Sequence, residues 1–193
     1  MSSFDVLIVG IGGQGTILAS NVIGEACLVE GIAVRGVETH GMAQRGGSVE
    51  SHVRIGGVHG PLIPPGRADL MIALDLLEGV RYLHYLKAGG SIVANDQTVV
   101  PTPVYTQKLP MPAREELLGS LGEKGLFLID AAALAAEAGN PIVQNVVMLG
   151  AASRYLPLKE SSLKEAVARS VPAKTLDLNL KAFDLGRNAV RSE

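Results

Sequence analysis

Phe4-Asp-Val-Leu-Ile-Val-Gly-Ile-Gly-Gly-Gln-Gly15 is a nearly unbroken apolar run that ends in a glycine turn. The run suits a strand buried on both faces. The residues after it place Ile17, Leu18, Val22, Ala26 and Val29 at helical spacing over 14–30, and Gly31 stands where a helix C-cap is expected. Ile32–Val37 is a second apolar run. Strand, glycine turn, helix and strand in this order make a βαβ unit, which predicts a parallel pair with a right-handed crossover.

Gly10-Ile11-Gly12-Gly13-Gln14-Gly15 satisfies G-x-G-x-x-G in the required context, after a strand and at the start of a helix. Such glycines let a backbone approach a phosphate, and a helix N-terminus adds unpaired N–H groups and partial positive charge. Equally, the glycines serve a tight turn or a subunit contact. A bound dinucleotide also needs an acid about 20 residues further on. Glu38 is the only candidate, 28 positions after Gly10, and its neighbours point elsewhere. Gln14 brings hydrogen bonds but no charge.

Those neighbours form the second informative stretch, Glu38-Thr-His-Gly-Met-Ala-Gln-Arg-Gly-Gly-Ser48. It sets Glu38, His40, Met42, Gln44, Arg45 and Ser48 among Gly41, Gly46 and Gly47. The segment leaves the second strand at the carboxyl edge, where α/β sheets collect ligands. Arg45 offers a fixed fork of donors matched to a carboxylate or phosphate. The plain alternative is a surface arginine on a glycine loop.

Further along, Ser48–Ile55 alternates, with Val49, Ser51, Val53 and Ile55 on one side and Ser48, Glu50, His52 and Arg54 on the other. This predicts a half-exposed, antiparallel edge strand with His52 facing outward. Pro61, Pro64, Pro65 and Gly66 stiffen a loop. A strand is expected over 68–75, a helix over 76–87, a strand over 91–95 and an extended stretch with one short strand over 101–112. A helix over 114–121, a strand over 126–130 and an alanine-rich helix over 131–138 capped by Asp130 follow. Three helices then begin at Pro141, Ser161 and Pro172. The expected fold is α/β: one domain over 1–193, with a mostly parallel Rossmann-like sheet between helices over 1–140 and a C-terminal helical layer over 141–193.

Composition narrows the function. The chain has 193 residues, enough for one domain that buries roughly 70% of its unfolded surface. Net charge is −2 without a Lys/Arg run, so no nucleic-acid footprint is expected. No run approaches the ~18 apolar residues of a membrane span and no signal peptide is evident, so the chain reads as cytoplasmic. Cys27 is the only cysteine, too few for a disulfide or for the roughly four thiolates of an iron–sulfur cluster. Neither His40, His52, His59 nor His84 has a zinc-like companion, so no metal site is expected. Asp75 and Glu78 read as a helix cap and a first-turn acid, with a site role for Asp75 left open.

Taken together, the Gly10–Gly15 turn and the Glu38–Ser48 stretch continuing to His52-Val-Arg-Ile-Gly56 resemble the gamma-type domain of the 2-oxoacid:ferredoxin oxidoreductases. Within that family the nearer pattern is the small (beta) subunit of the indolepyruvate type. Pro61-Leu-Ile-Pro64, Ala68-Asp69, Asn145-Val-Val-Met-Leu-Gly150 and Asn179-Leu-Lys-Ala-Phe-Asp-Leu-Gly186 extend the likeness over nearly the whole chain. The resemblance implies a heteromeric enzyme, inactive as this chain alone, that converts an aryl 2-oxo acid and coenzyme A to acyl-CoA and carbon dioxide and passes electrons to ferredoxin. Thiamine diphosphate, Mg and iron–sulfur clusters are then expected on a large partner subunit, none on this chain. The Glu38–Ser48 loop would face the partner's active site or coenzyme A, with no catalytic residue carried over. The same reading leaves open a homo-oligomer of the isolated chain. The rival is a free-standing NAD(P)-binding Rossmann protein with Glu38 on the ribose.

Overall fold

A computed structural model describes residues 3–40, 47–57, 59–122 and 125–190. Its centre is a six-stranded sheet in the order β2-β3-β1-β4-β5-β6. The strands are β1 (Phe4–Ile11), β2 (Val34–His40), β3 (Ser48–Ile55), β4 (Ala68–Ala73), β5 (Leu86–Asn95) and β6 (Leu126–Ile129). β1, β4, β5 and β6 pair in parallel, whereas β3 runs antiparallel to both β1 and β2.

The mostly parallel α/β sheet is therefore present, with one refinement. β1 and β2 point the same way but are not neighbours, because β3 is inserted between them. The antiparallel strand lies one place in from the edge, and β2 is the edge itself. The alternating pattern of 48–55 specified a strand but carried no information on its two partners.

Successive residues of β1 divide between two cores. Val6 and Ile8 join the larger one, under α1 (Thr16–Val29), α5 (Ala131–Ala138), α6 (Gln144–Ala152), α7 (Glu160–Ser170) and α8 (Leu176–Ala189). Leu7 and Val9 join the smaller one, under α2 (Leu76–Arg81) and α4 (Arg114–Leu121). Each such side chain, fully buried, contributes roughly 1.5–3 kcal/mol. The C-terminal helices share the larger core with the sheet, and α6 crosses α8 at bare backbone. A Cβ added at Gly186 would lie 1.9 Å from Val147 O, and one at Gly150 2.0 Å from Phe183 O.

Several local expectations are corrected. The stretch 101–112 holds the helix α3 (Thr102–Gln107) rather than a strand. Pro103 falls in its first turn, where a missing N–H costs nothing. The helix expected over 76–87 stops at Arg81, and a 3-10 turn at Leu83–Tyr85 leads into β5. Ser161 caps nothing: α7 starts at Glu160, whose carboxylate suits the first turn and pairs with Lys164 four residues on.

Candidate functional site

The glycine turn is built by positions that exclude side chains. Gly13 and Gly15 adopt φ 108° and φ 87°, the left-handed region. At Gly10, a Cβ would meet Gln14 Oε1 at 2.8 Å and Leu74 Cβ at 3.1 Å. The vacated space lets Gln14 fold back so that Ile11 N–H donates to its Oε1 at 2.8 Å. Gln14 thus braces the turn it belongs to, while Gly15 begins α1 without a side-chain cap.

Beside the turn, at the carboxyl ends of β1, β4 and β5, lies a cleft of about 250 Å³. Gln14, Asn95, Gln97 and Asn145 are among its walls, and among the described residues no acid or base lines it. Asn95 is fixed by donating to Leu74 O at 3.3 Å and Gln97 Oε1 at 3.2 Å and by accepting from Ala131 N at 3.2 Å. Among the described residues its polar walls are amides and backbone. Asn95, Gln97 and Gln144 were not singled out by the sequence. They come from two distant segments, the end of β5 and the start of α6, that only the fold brings together.

The two informative stretches meet at this edge. Gly12 N–H donates to Gly47 O at 2.8 Å, and Ile11 pairs with Ser48 in the ladder. Ser48 Oγ donates to Glu78 Oε2 and lies 2.9 Å from Tyr82 Oη. His40 ends β2 opposite Val49. Gly41, Met42, Gln44, Arg45 and Gly46 lie outside the described residues.

Glu38 ends up away from the position of a ribose-binding acid. Ser20 Oγ of α1 donates to Glu38 Oε1 at 3.1 Å. With β3 inserted, β2 stands two interstrand spacings from β1, about 10 Å instead of about 5 Å. Glu38 instead lines a second, more open groove of about 690 Å³ between α1, β2 and the end of α7. Two other charged residues of that groove, Glu25 and Arg169, are bonded to each other at 2.6 Å.

Asp75, His52 and Cys27 are buried titratable groups displaced from their ordinary values. Asp75 caps α2, accepting from Leu77 N at 2.9 Å and Glu78 N at 3.2 Å, and also accepts from Val99 N at 2.7 Å. Burial pushes its carboxyl above the usual range against those three bonds. His52, expected to face outward, is 1% exposed. The loop carrying Ile63 covers it: Ile63 N–H donates to His52 Nδ1 at 3.2 Å, and Tyr85 packs edge-on at 5.5 Å. An accepting Nδ1 places the proton of the neutral ring on Nε2, which lies 3.8 Å from Glu50 Oε1. Burial holds this imidazole below its ordinary value, with Glu50 opposing. Cys27 is fully buried on the inner face of α1, and desolvation pushes its thiol up to about 11. Among the described residues no three His, Cys, Asp or Glu converge as a metal site, and no helix is long and apolar enough to cross a membrane.

Comparison with known proteins gives one family. The description "Pyruvate ferredoxin/flavodoxin oxidoreductase" matches residues 5–189. Indolepyruvate oxidoreductase subunit IorB of Pyrococcus horikoshii is 42% identical over 197 aligned positions, covering 99% of this chain and 98% of that one. The 2-oxoglutarate synthase subunit KorC of Methanothermobacter marburgensis is 28% identical, covering 96% of each. Among solved structures, the keto/oxoacid ferredoxin oxidoreductase gamma subunit of Geobacter sulfurreducens superposes with a TM-score of 0.71 at 27% identity, covering 96% of this chain and 97% of that one. The 2-oxoglutarate:ferredoxin oxidoreductase of Magnetococcus marinus shares the fold with a TM-score of 0.72 at 22% identity, over 98% of this chain but 31% of that longer one.

Proposed function

Because the chain belongs to the pyruvate ferredoxin/flavodoxin oxidoreductase family, we propose that it is the small subunit of an indolepyruvate-type 2-oxoacid:ferredoxin oxidoreductase. The assembly converts an aryl 2-oxo acid and coenzyme A to acyl-CoA and carbon dioxide, with ferredoxin as electron acceptor. The observation that carries this reading is the end-to-end 42% identity to an indolepyruvate oxidoreductase subunit of matching length.

The chain's own chemistry supports a role in binding and enclosure. Its one thiol is buried and hard to ionise, its described acids and histidines do not converge, and no described acid or base lines its carboxyl-edge cleft. These residues do not fit an iron–sulfur cluster, a Mg ion or a diphosphate, so thiamine diphosphate and the clusters fall to the larger partner subunit. This chain closes one wall of the shared chamber and excludes water, which strengthens electrostatic interactions inside. Arg45 and Gln44 hold an anionic end of the 2-oxo acid or coenzyme A. His40, Met42, Gly46, Gly47 and Ser48 belong to the same partner-facing stretch, and the turn of Gly10, Gly12, Gly13, Gln14 and Gly15 supports it through the Gly12–Gly47 bond. The complex works in the cytoplasm, and the isolated chain self-associates through surfaces the partner otherwise covers.

Arg45→Ala in the complex reconstituted with the larger subunit tests this assignment. Loss of a charge-assisted fork, roughly 1.5–3 kcal/mol, raises a Michaelis constant about 10- to 100-fold. Unchanged Michaelis constants for both 2-oxo acid and coenzyme A would remove Arg45 from the site. The NAD(P) reading loses its acid to the α1 face, and titration of the purified chain with NADH should give no saturable fluorescence change.

A further inference from the structure

The two rims of the carboxyl-edge cleft are tied to one short helix by buried carboxylates. On one side, Gly12 N–H is held by Gly47 O, and the adjacent Ser48 hydroxyl is held by Glu78 and Tyr82. Glu78 is 2% exposed, and its other oxygen accepts from Arg81 Nη1 at 2.9 Å. On the other side, Asp75 holds Val99 N, and Leu76 N–H donates to Gln97 O at 2.9 Å. Gln97 and Val99 line the same cleft as Gly13 and Gln14. Glu78 N–H donates to Asp75 Oδ1, so the N-cap acid of α2 is bonded to the backbone of the first-turn acid.

We propose that Glu78, backed by Asp75, is a positioning residue that sets the spacing between the glycine turn and the Gln97–Val99 wall, and so the affinity of the cleft for the 2-oxo acid or coenzyme A. The inference rests on the reading of this edge as the substrate-side wall. A hydrogen bond to a buried carboxylate is short and strong, which makes it a better spacer than packing alone. The burial of Glu78 also has a use here. A first-turn acid on a short surface helix gains its dipole interaction equally well when exposed, so stability of α2 gives no reason to bury it.

The test uses Ser48→Ala, Ser48→Thr and Glu78→Gln in the complex reconstituted with the larger subunit, without substrates. Amide hydrogen exchange is read at Gly12, with Ile8 and Ile72 as core references. Ser48→Ala and Glu78→Gln are expected to speed exchange at Gly12 about 10-fold while the references hold. The Michaelis constant for coenzyme A or the 2-oxo acid should rise by a similar factor, more than kcat falls. Ser48→Thr, which keeps the hydroxyl, should restore both readouts. Unaltered exchange at Gly12 overturns the coupling itself. Faster exchange with unchanged Michaelis constants overturns the positioning role if Arg45→Ala still raises one of them. If Arg45→Ala is silent too, the assignment of this edge to substrate has failed and the inference falls with it.

Discussion

Asn145 lies so tightly over Gly15 that a Cβ on the glycine would sit 2.2 Å from its Nδ2 and 2.9 Å from its Cγ. The start of α6 is therefore seated on the start of α1, and the cleft is bounded by that contact. Gly15→Ala meets two costs: about 1–2 kcal/mol for a left-handed non-glycine residue and about 1–3 kcal/mol for overpacking. Urea denaturation should show the sum. Adding Asn145→Ala relieves only the second cost, so the double mutant should be more stable than additivity predicts by about 1 kcal/mol. Strict additivity would mean the two residues do not meet.

The α6–α8 crossing makes a harsher prediction. At Gly150 and Gly186 the colliding atoms are backbone carbonyls of the opposite helix, which cannot rotate away. Gly186→Ala is expected to cost about 3 kcal/mol or more, at the upper end for overpacking. Gly24 is the control, since it also lies within a helix, α1, but a Cβ there would touch nothing within 4 Å. Gly24→Ala should stabilise by about 0.5–1 kcal/mol. Thermal midpoints moving in the same direction for both would contradict the crossing geometry.

His52 gives the fold a pH dependence with a definite sign. Its folded value is depressed below 6.5, chiefly by burial. Glu50 and Asp5 face it as acids, Arg54 as a base and Tyr85 as a neutral ring. As pH falls below about 6.5 the unfolded chain takes up a proton that the folded chain refuses. The stability is thus full above that pH and is lost as pH falls through the folded value, at up to about 1.4 kcal/mol per pH unit. His52→Gln should flatten that part of the profile, whatever it does to absolute stability. An equally steep profile in the variant would exclude His52 as the cause.

Cys27 should be silent toward alkylating reagents in the native protein. A thiol with a value near 11 is about a thousandth thiolate at pH 8, and this one is also fully buried. Labelling should appear only with unfolding in denaturant. Rapid native labelling at pH 8 would show that α1 leaves the larger core more readily than its packing allows.

Much of this protein is local and was legible as such. The apolar run into G-x-G-x-x-G dictates β1, the turn and α1, because period and glycine placement act within a dozen residues. The helices at Arg114–Leu121 and Ala131–Ala138 fall where periodicity and the Asp130 cap put them. The junction of the Gly10–Gly15 turn with the Glu38–Ser48 stretch also follows from the carboxyl-edge rule, and Gly12 donating to Gly47 realises it. What tertiary structure decided is which distant segments lie side by side. The alternation of 48–55 could not say that β3 enters between β1 and β2, a matter of long-range pairing. That insertion moves Glu38 away from the turn, and the loop at Ile63 together with Tyr85 then buries His52. The amides of the cleft come from the ends of β1 and β5 and the start of α6, elements whose proximity no sequence period encodes.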